Sequence, residues 1–258
     1  MEEKRETNNI IIGRNTVKEA IRSGRDIDAI VVAKTAQDGS IREILNLAKK
    51  RNLVIKEVPV KKLDEMAMPF GYNGRTGNHQ GIAAQIPSIE YSEMEDIFAY
   101  AEERGEAPFI IALDGIQDPQ NLGAIVRSAE ALGAHGVITL KRRSAAMNAA
   151  ACKTACGAEE YLPIVRVNNL VNTLEELKER GVWIAAADMD GVRADQADLK
   201  GALCLVIGAE GEGVSRLVME HSDYIVKIDL KGKVSSLNAS AAAAILIYEK
   251  KRQDILGK

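Results

Sequence analysis

From Ala107 onward the chain alternates short apolar runs with stretches whose apolar residues recur at helical spacing. The runs fall near Phe109, Gly136, Tyr161, Val182, Leu203 and Ile225. A helix-length crossover returns the chain to the same edge of a sheet, so successive strands run parallel. The alternation therefore predicts an α/β domain with a mostly parallel sheet and helices on both faces. Open sheets of this kind hold ligands at the carboxyl ends of their strands, so the segments that follow each strand carry the functional reading.

Three such junctions stand out. In the first, an apolar run to Leu113 leads through the Asp118-Pro119 turn signal into a helix marked by Leu122, Ile125, Val126, Ala129 and Leu132. Asn121 and Arg127 sit at the start of this helix, and Arg127 reads as a buried arginine. An ordinary strand-to-helix turn with a snorkelling arginine is the competing reading. In the second, Leu203 to Ile207 runs into Gly208, Glu210, Gly211, Glu212 and Gly213. The glycines let the backbone approach a neighbour closely. Glu210 stands where the dinucleotide fingerprint needs its second glycine, and two glutamates would repel a pyrophosphate, so the loop suits a ligand with a positive centre. In the third, a strand near Ile225 passes through a basic loop into a last, alanine-rich helix. Ser235 and Ser236 are expected to cap it. Asn238 is neither a good helix former nor a core residue, and a functional role is expected for it.

Together these segments resemble the SpoU (TrmH) family of RNA ribose 2′-O-methyltransferases, within the SPOUT superfamily. The family's N-L-G-x-x-x-R motif appears as Asn121-Leu122-Gly123 with Arg127, its G-x-E-G-x-G motif runs from Gly208 to Gly213, and its S-L-N motif is Ser236-Leu237-Asn238. The resemblance implies a trefoil-knotted catalytic domain that binds S-adenosyl-L-methionine in a bent shape, with its sites at a homodimer interface. It implies Asn121, Arg127, Glu210, Ser236 and Asn238 as the catalytic or RNA-facing set. Gly208, Ile228 and Leu237 become the cofactor contacts, with Thr139, at the end of the strand after the first motif, added to them. A guanidinium stays protonated in proteins, so Arg127 is expected to anchor a phosphate or stabilise a developing alkoxide, oriented by Glu210 or a water, rather than to act as a base. Relatives often carry serine where Ala155 stands, so a hydroxyl contact is expected to be missing there.

Charge divides the chain. Up to Ile89 there are fifteen Lys and Arg against eleven Asp and Glu, and beyond it nineteen against twenty-six. A net charge of −3 argues against indiscriminate nucleic-acid binding but permits a local basic surface, such as Lys49-Lys50-Arg51 with Lys61-Lys62. A solvated face is the other reading of those lysines. Residues 29–33 and 53–58 read as strands around a helix over about 41–51, a compact αβα module. A glycine-rich loop over 71–78, a strand over 81–86 and a helix near 91–104 follow. The expected division is a substrate-binding domain over 1–89 and a catalytic domain over 90–258.

Residues 10–20 and 79–84 resemble the ends of a substrate-binding domain found in one branch of the family, which looks like an RNA-binding ribosomal protein. That branch methylates a guanosine of large-subunit ribosomal RNA, which makes this RNA the expected partner. A tRNA 2′-O-methyltransferase and a non-catalytic ribosome-assembly factor are the alternatives. From the residues alone, His79 reads as a turn residue capping its own backbone. The chain has no phosphate-binding G-x-x-x-x-G-K-[ST] loop and no G-x-S-x-G, which argues against other nucleotide-binding enzymes and serine hydrolases. Cys152, Cys156 and Cys204 lie among small apolar residues, and no metal site is expected. With no leader-like start and no bilayer-length apolar run, the expectation is a soluble cytoplasmic protein that does not engage a membrane.

Overall fold

The computed structural model describes residues 9–36, 38–70, 76–233 and 236–257. It divides into two compact units, one ending at Ser88 and the other beginning at Ile89.

The first unit contains β1 (Ile10–Ile12), α1 (Arg14–Arg22), β2 (Ala29–Ala33), α2 (Gly39–Lys50), β3 (Ile55–Val58), α3 (Val60–Ala67) and β4 (Ile82–Gln85). Its sheet has the order β1-β4-β2-β3, with β2 and β3 parallel and β4 antiparallel to both of its neighbours. Every residue of β2 is buried because both faces are covered. Ile30 and Val32 point to α1 and α2, where Val17, Ile21, Ile41 and Ile44 meet them. Val31 and Ala33 alternate to the other face, against Leu63 of α3. The layering is αβα.

His79 is a turn residue. Its Nδ1 accepts the Gly81 N–H at 2.9 Å and its Nε2 lies 3.1 Å from the Asp64 carboxylate. The expected basic surface is only partly available: Arg51 donates to the carbonyls of Ile21, Gly24 and Arg25 and so closes the end of α1, while Lys62 pairs with Glu65. Residues 71–75 of the glycine-rich loop lie outside the described residues.

The second unit contains α4 (Met94–Glu103), β5 (Phe109–Asp114), α5 (Pro119–Ala131), β6 (Gly136–Leu140), α6 (Ala149–Ala155), β7 (Ile164–Val167), α7 (Leu170–Glu179), β8 (Trp183–Arg193), β9 (Leu203–Gly208), α8 (Arg216–Glu220), β10 (Tyr224–Lys227) and α9 (Ala239–Leu256). The strand order is β10-β8-β9-β5-β6-β7, and every pairing is parallel. The strand expected near Tyr161 starts at Ile164, after a 3₁₀ turn over Ala158–Glu160 and the donor-less Pro163. Central strands β5 and β9 are covered on both faces, which explains their unbroken apolar runs. Ile111, Leu113, Leu205 and Ile207 face α5 and α9, whereas Ile110, Ala112, Cys204 and Val206 face α4 and α7. Among the described residues, no helix is long and apolar enough to cross a membrane.

One irregularity shapes the functional end of this sheet. Tyr224 and Ile225 of β10 pair with Ala185 and Ala186, but the next residues, Val226 and Lys227, pair with Val192 and Arg193. The segment 187–191 is thus extruded from the ladder, as an extended bulge does on a larger scale. Gly191 sits where it returns, since a Cβ there would lie 2.5 Å from the Ile225 carbonyl.

Candidate active site

The three strand-to-helix junctions belong to neighbouring parts of one rim, at the carboxyl ends of the strands. Loop 209–213 closes on itself through a 2.8 Å bond from the Gly213 N–H to the Ala209 carbonyl. It lies so close over Gly208 that a Cβ there would be 2.0 Å from the Gly213 carbonyl carbon and 2.2 Å from the Val214 nitrogen. Only glycine fits at that position. Asp114, at the end of β5, accepts the Ser215 N–H at 2.7 Å and ties the far side of the loop to the adjacent strand.

Asp118 caps α5 by accepting the Gln120 N–H at 3.0 Å, with Pro119 in the first turn, and this places Asn121 in a buried position facing the loop. Glu210 Oε1 accepts from Asn121 Nδ2 at 3.0 Å, from Asn238 Nδ2 at 2.6 Å and from the Ala239 N–H at 3.3 Å. Asn238 Nδ2 also donates to Asn121 Oδ1 at 2.8 Å. One carboxylate oxygen therefore joins all three motifs.

Asn238 also has a local role that was expected of the serines. It is itself the N-cap of α9: its Oδ1 accepts the N–H groups of Ser240 and Ala241 at 2.9 and 3.2 Å. Asparagine is among the best capping residues, so its local preference and its place in the cluster have the same origin. Ser236 is exposed and is not the cap, and Ser235 lies outside the described residues.

Arg127 is not buried. It projects from the exposed side of α5, and its Nη1 donates to Cys156 Sγ at 3.4 Å. Glu210, expected to orient it, is instead engaged with the two asparagines. Cys156 ends α6 in the left-handed conformation, with φ of 56°. Ala155 is fully buried in the apolar core, where a hydroxyl would be desolvated.

Beside the cluster lies a cleft of about 360 Å³. Its walls are the extruded residues Ala187, Asp188 and Met189, the loop 208–213, the end of β10 with Ile228 and Leu230, and Ser236 and Leu237 ahead of α9. The structure thus brings Gly208, Glu210, Ile228, Ser236 and Leu237 together around one cavity. Asn121 and Asn238 adjoin it through Glu210, and Arg127 stands away from it on α5. Thr139 does not reach it: on β6 its side chain is fully buried, with Oγ1 2.7 Å from Ser144 Oγ. Asp188, Met189 and Leu230 were not anticipated from the sequence. The polar, glycine-containing Asp188-Met189-Asp190-Gly191 at the end of an apolar strand was the signal that could have found the first two.

Among the described residues, Asp188, Glu210 and Glu212 line the cleft against one lysine, Lys227, above an apolar floor that includes Ile207, Val226 and Leu246. This polarity suits a ligand that is cationic at one end and flat and apolar at the other. Cys204 is fully buried and its thiol is pushed well above the ordinary range by desolvation, so it acts as a small hydrophobe. Among the described residues there is no group of three or more His, Cys, Asp or Glu placed to hold a metal ion.

The sequence model of the SpoU rRNA Methylase family matches residues 108–248, more than half of the chain. This chain belongs to the SpoU family. A second model, RNA 2′-O ribose methyltransferase substrate binding, matches residues 10–92. A Bacillus subtilis protein assigned to the TrmH family of tRNA/rRNA methyltransferases is 44% identical over 241 residues, which cover 93% of each chain. A Staphylococcus haemolyticus protein with the same assignment is 40% identical over 242 residues, 93% of this chain and 94% of that one. Among solved structures, the SpoU methyltransferase AviRb from Streptomyces viridochromogenes, crystallised with the cofactor AdoMet, aligns with a TM-score of 0.59 over 96% of this chain and 91% of its own. At 24% identity that likeness speaks to the fold alone. The A. aeolicus TrmH/SpoU tRNA modifying enzyme aligns with a TM-score of 0.53 and 30% identity over 57% of this chain and 76% of its own. The SpoU motifs are the segments that converge on Glu210 and the cleft.

Proposed function

We propose that this SpoU protein transfers a methyl group from S-adenosyl-L-methionine to a ribose 2′-hydroxyl of RNA, and that its target is a guanosine of large-subunit ribosomal RNA. The observation that carries the reading is the convergence of Asn121, Glu210 and Asn238 on the edge of a cleft with an acidic mouth and an apolar floor. The residues fit the cofactor. Asp188, Glu210 and Glu212 offer negative charge to a sulfonium and an amino group, Ile228 and Leu237 offer apolar walls to an adenine, and the backbone at Gly208 lies bare on one side. Bound there, the cofactor supplies an electrophilic methyl group, and the protein supplies orientation.

The chain's own residues then hold the acceptor. The Asn121-Glu210-Asn238 cluster fixes the wall of the cleft in one geometry, because each amide is held at both ends. Arg127, permanently charged and exposed, steadies an RNA phosphate while the proton of the 2′-hydroxyl leaves to solvent. Ser236 is placed at the cleft to contact the acceptor, and Thr139 acts only through the core.

The first unit is read as the RNA-selecting domain and the second as the catalytic domain. The match of residues 10–92 to an RNA 2′-O ribose methyltransferase substrate-binding model supports this division. The reading includes the trefoil knot, the homodimer and the cytoplasmic setting that the resemblance implies. Ile245, Tyr248, Ile255 and Leu256 of α9 are exposed, apolar surface of the kind a second copy would cover. Incubation with methyl-tritiated S-adenosylmethionine and a mixture of ribosomal RNA and tRNA tests the reading. Label in large-subunit RNA, mapped to a 2′-oxygen, is expected. Label confined to tRNA would overturn the target, and no label in either would overturn the activity.

A further inference from the structure

The loop between β6 and α6 is basic, rigid and strained. Lys141, Arg142 and Arg143 follow one another at the carboxyl end of β6, and all three are exposed. The backbone that carries them is fastened from several sides. The Lys141 N–H donates to the Val167 carbonyl at 2.8 Å, and the Lys141 carbonyl accepts from Arg166 at 3.3 Å. Arg166 itself lies over the Tyr91 ring, 4.8 Å from its centroid, and the Tyr91 hydroxyl accepts the Met147 N–H at 3.0 Å. Ser144 Oγ bonds to Thr139 and to the Ile116 carbonyl, and the Ala145 N–H reaches the same carbonyl at 2.7 Å. Ile116 lies in the turn between β5 and α5, so the loop is anchored to the segment that delivers Asn121 and Arg127.

At the tip, Arg143 adopts φ of 57°, a conformation that an arginine enters at a cost of about 1–2 kcal/mol. Glycine or asparagine enters this conformation more easily. Among the described residues, Lys141, Arg143 and the exposed Lys153 of α6 have no acidic partner within ion-pair range. Lys153 lies one turn before Cys156, the residue that holds Arg127. In the first unit Arg14, Lys18, Arg22 and Lys62 are ion-paired, which leaves Lys49, Lys50 and Lys61 of its expected basic surface. The carboxyl rim of the parallel sheet therefore divides by charge, with carboxylates around the cleft beyond β9 and cations beyond β6.

We propose that the loop 141–143, continued by Lys153, is a pre-organised binding surface on the catalytic unit for the phosphodiester backbone of the RNA substrate, in addition to the substrate-binding unit. The proposal rests on the RNA methyltransferase reading. A rigid presentation of fixed cations costs little ordering on binding, which is what phosphate recognition without sequence preference requires.

The test uses the full-length double variant Lys141→Gln/Arg143→Asn, in which both side chains are exposed and asparagine tolerates the left-handed backbone at 143. Filter binding of ribosomal RNA fragments is measured from 50 to 300 mM salt. Two lost phosphate contacts should make the slope of log affinity against log salt shallower by about 1.4 and weaken binding about tenfold at low salt. The charge-keeping Lys141→Arg/Arg143→Lys variant should bind as the wild type does, and calorimetric binding of S-adenosylhomocysteine should be the same in all three. An unchanged affinity and salt slope in the double variant would overturn the proposal, as would equal losses in both variants, which would mean that shape and not charge is at stake. Methyl incorporation by the wild type is scored separately. RNA binding that depends on the loop without any methylation would remove the proposed reaction and leave the surface standing, whereas methylation with loop-independent binding would do the reverse.

Discussion

Replacing Asn238 by aspartate isolates the electrostatics of the motif cluster, because the two side chains have the same shape and both cap helices well. The aspartate keeps an acceptor for the Ser240 and Ala241 N–H groups, so the cap on α9 survives. It replaces the Nδ2 donor, 2.6 Å from Glu210 Oε1 and 2.8 Å from Asn121 Oδ1, with an anion. Two unit charges at 2.6 Å repel by about 1.6 kcal/mol even in a water-like dielectric, and by more wherever protein displaces water. Two lost hydrogen bonds add about 1–2 kcal/mol. The expected destabilisation at pH 7 is then about 3 kcal/mol, a fall of about 6–12 °C in Tm for a domain of this size. Asn238→Ser separates the two contributions, since it keeps a cap and removes the donors without adding charge. Its loss should be about half as large and independent of pH. Thermal melts from pH 4 to 8 provide the assay. The aspartate deficit should shrink as the pH falls far enough to protonate the introduced carboxyl, whose proton restores a donor. An aspartate variant as stable as the serine variant at every pH would refute the reasoning, because it would mean that the carboxylate of Glu210 does not face position 238.

Gly208→Ala places a methyl group 2.0 Å from backbone atoms, so the loop 209–213 must shift by more than 1 Å, and calorimetry should show affinity for S-adenosylhomocysteine falling at least tenfold. Gly211→Ala, with φ of +82° and open space around it, should cost only about 1–2 kcal/mol of local strain in a thermal melt and leave binding within a fewfold of wild type. His135 is held below the ordinary histidine range mainly by burial, against the pull of Glu106, and its Nδ1 already accepts the Phe109 N–H. The unfolded chain therefore takes up the proton first, so stability is full above about pH 6.5 and declines as the pH falls below it; His135→Gln should remove that slope from melts between pH 5 and 7.5. Arg127→Lys keeps the charge but loses the planar fork, so it should retain weak methylation with unchanged cofactor affinity and no recovery at high pH, whereas an alkaline rescue in a pH-rate profile would show that the residue removes the proton.

The layered architecture was legible because burial writes itself into the apolar pattern. The doubly covered strands β5 and β9 are continuous apolar runs, and the face of α5 is set by Leu122, Ile125, Val126 and Ala129. Arg127 falls between those positions on the helix, so its exposure is also available from the spacing. Strand order was not legible, since pairing partners distant in sequence leave no local trace, and neither was the extrusion of 187–191 that forms one wall of the cleft. The misplacement of Thr139 has the same cause: the end of a strand can be read from sequence, but its distance from a cleft depends on how many strands stand between. Asn238 shows a different limit. Propensity argued that it was out of place inside a helix, and it is outside, as the cap.

The hydrogen bonds around Glu210 also set an order of events. Asn121 and Glu210 are 89 positions apart in the chain, and Asn121 and Asn238 are 117 apart. A growing polypeptide therefore makes Asn121 and then Glu210 with most of the parallel sheet, while Glu210 waits for two donors that arrive only with α9. Nascent chains that stall before Asn238 would have the sheet but not the joined cluster. Catalytic competence becomes a signal that translation has passed that point, and the long closure delays the enzyme's first turnover until α9 has been made.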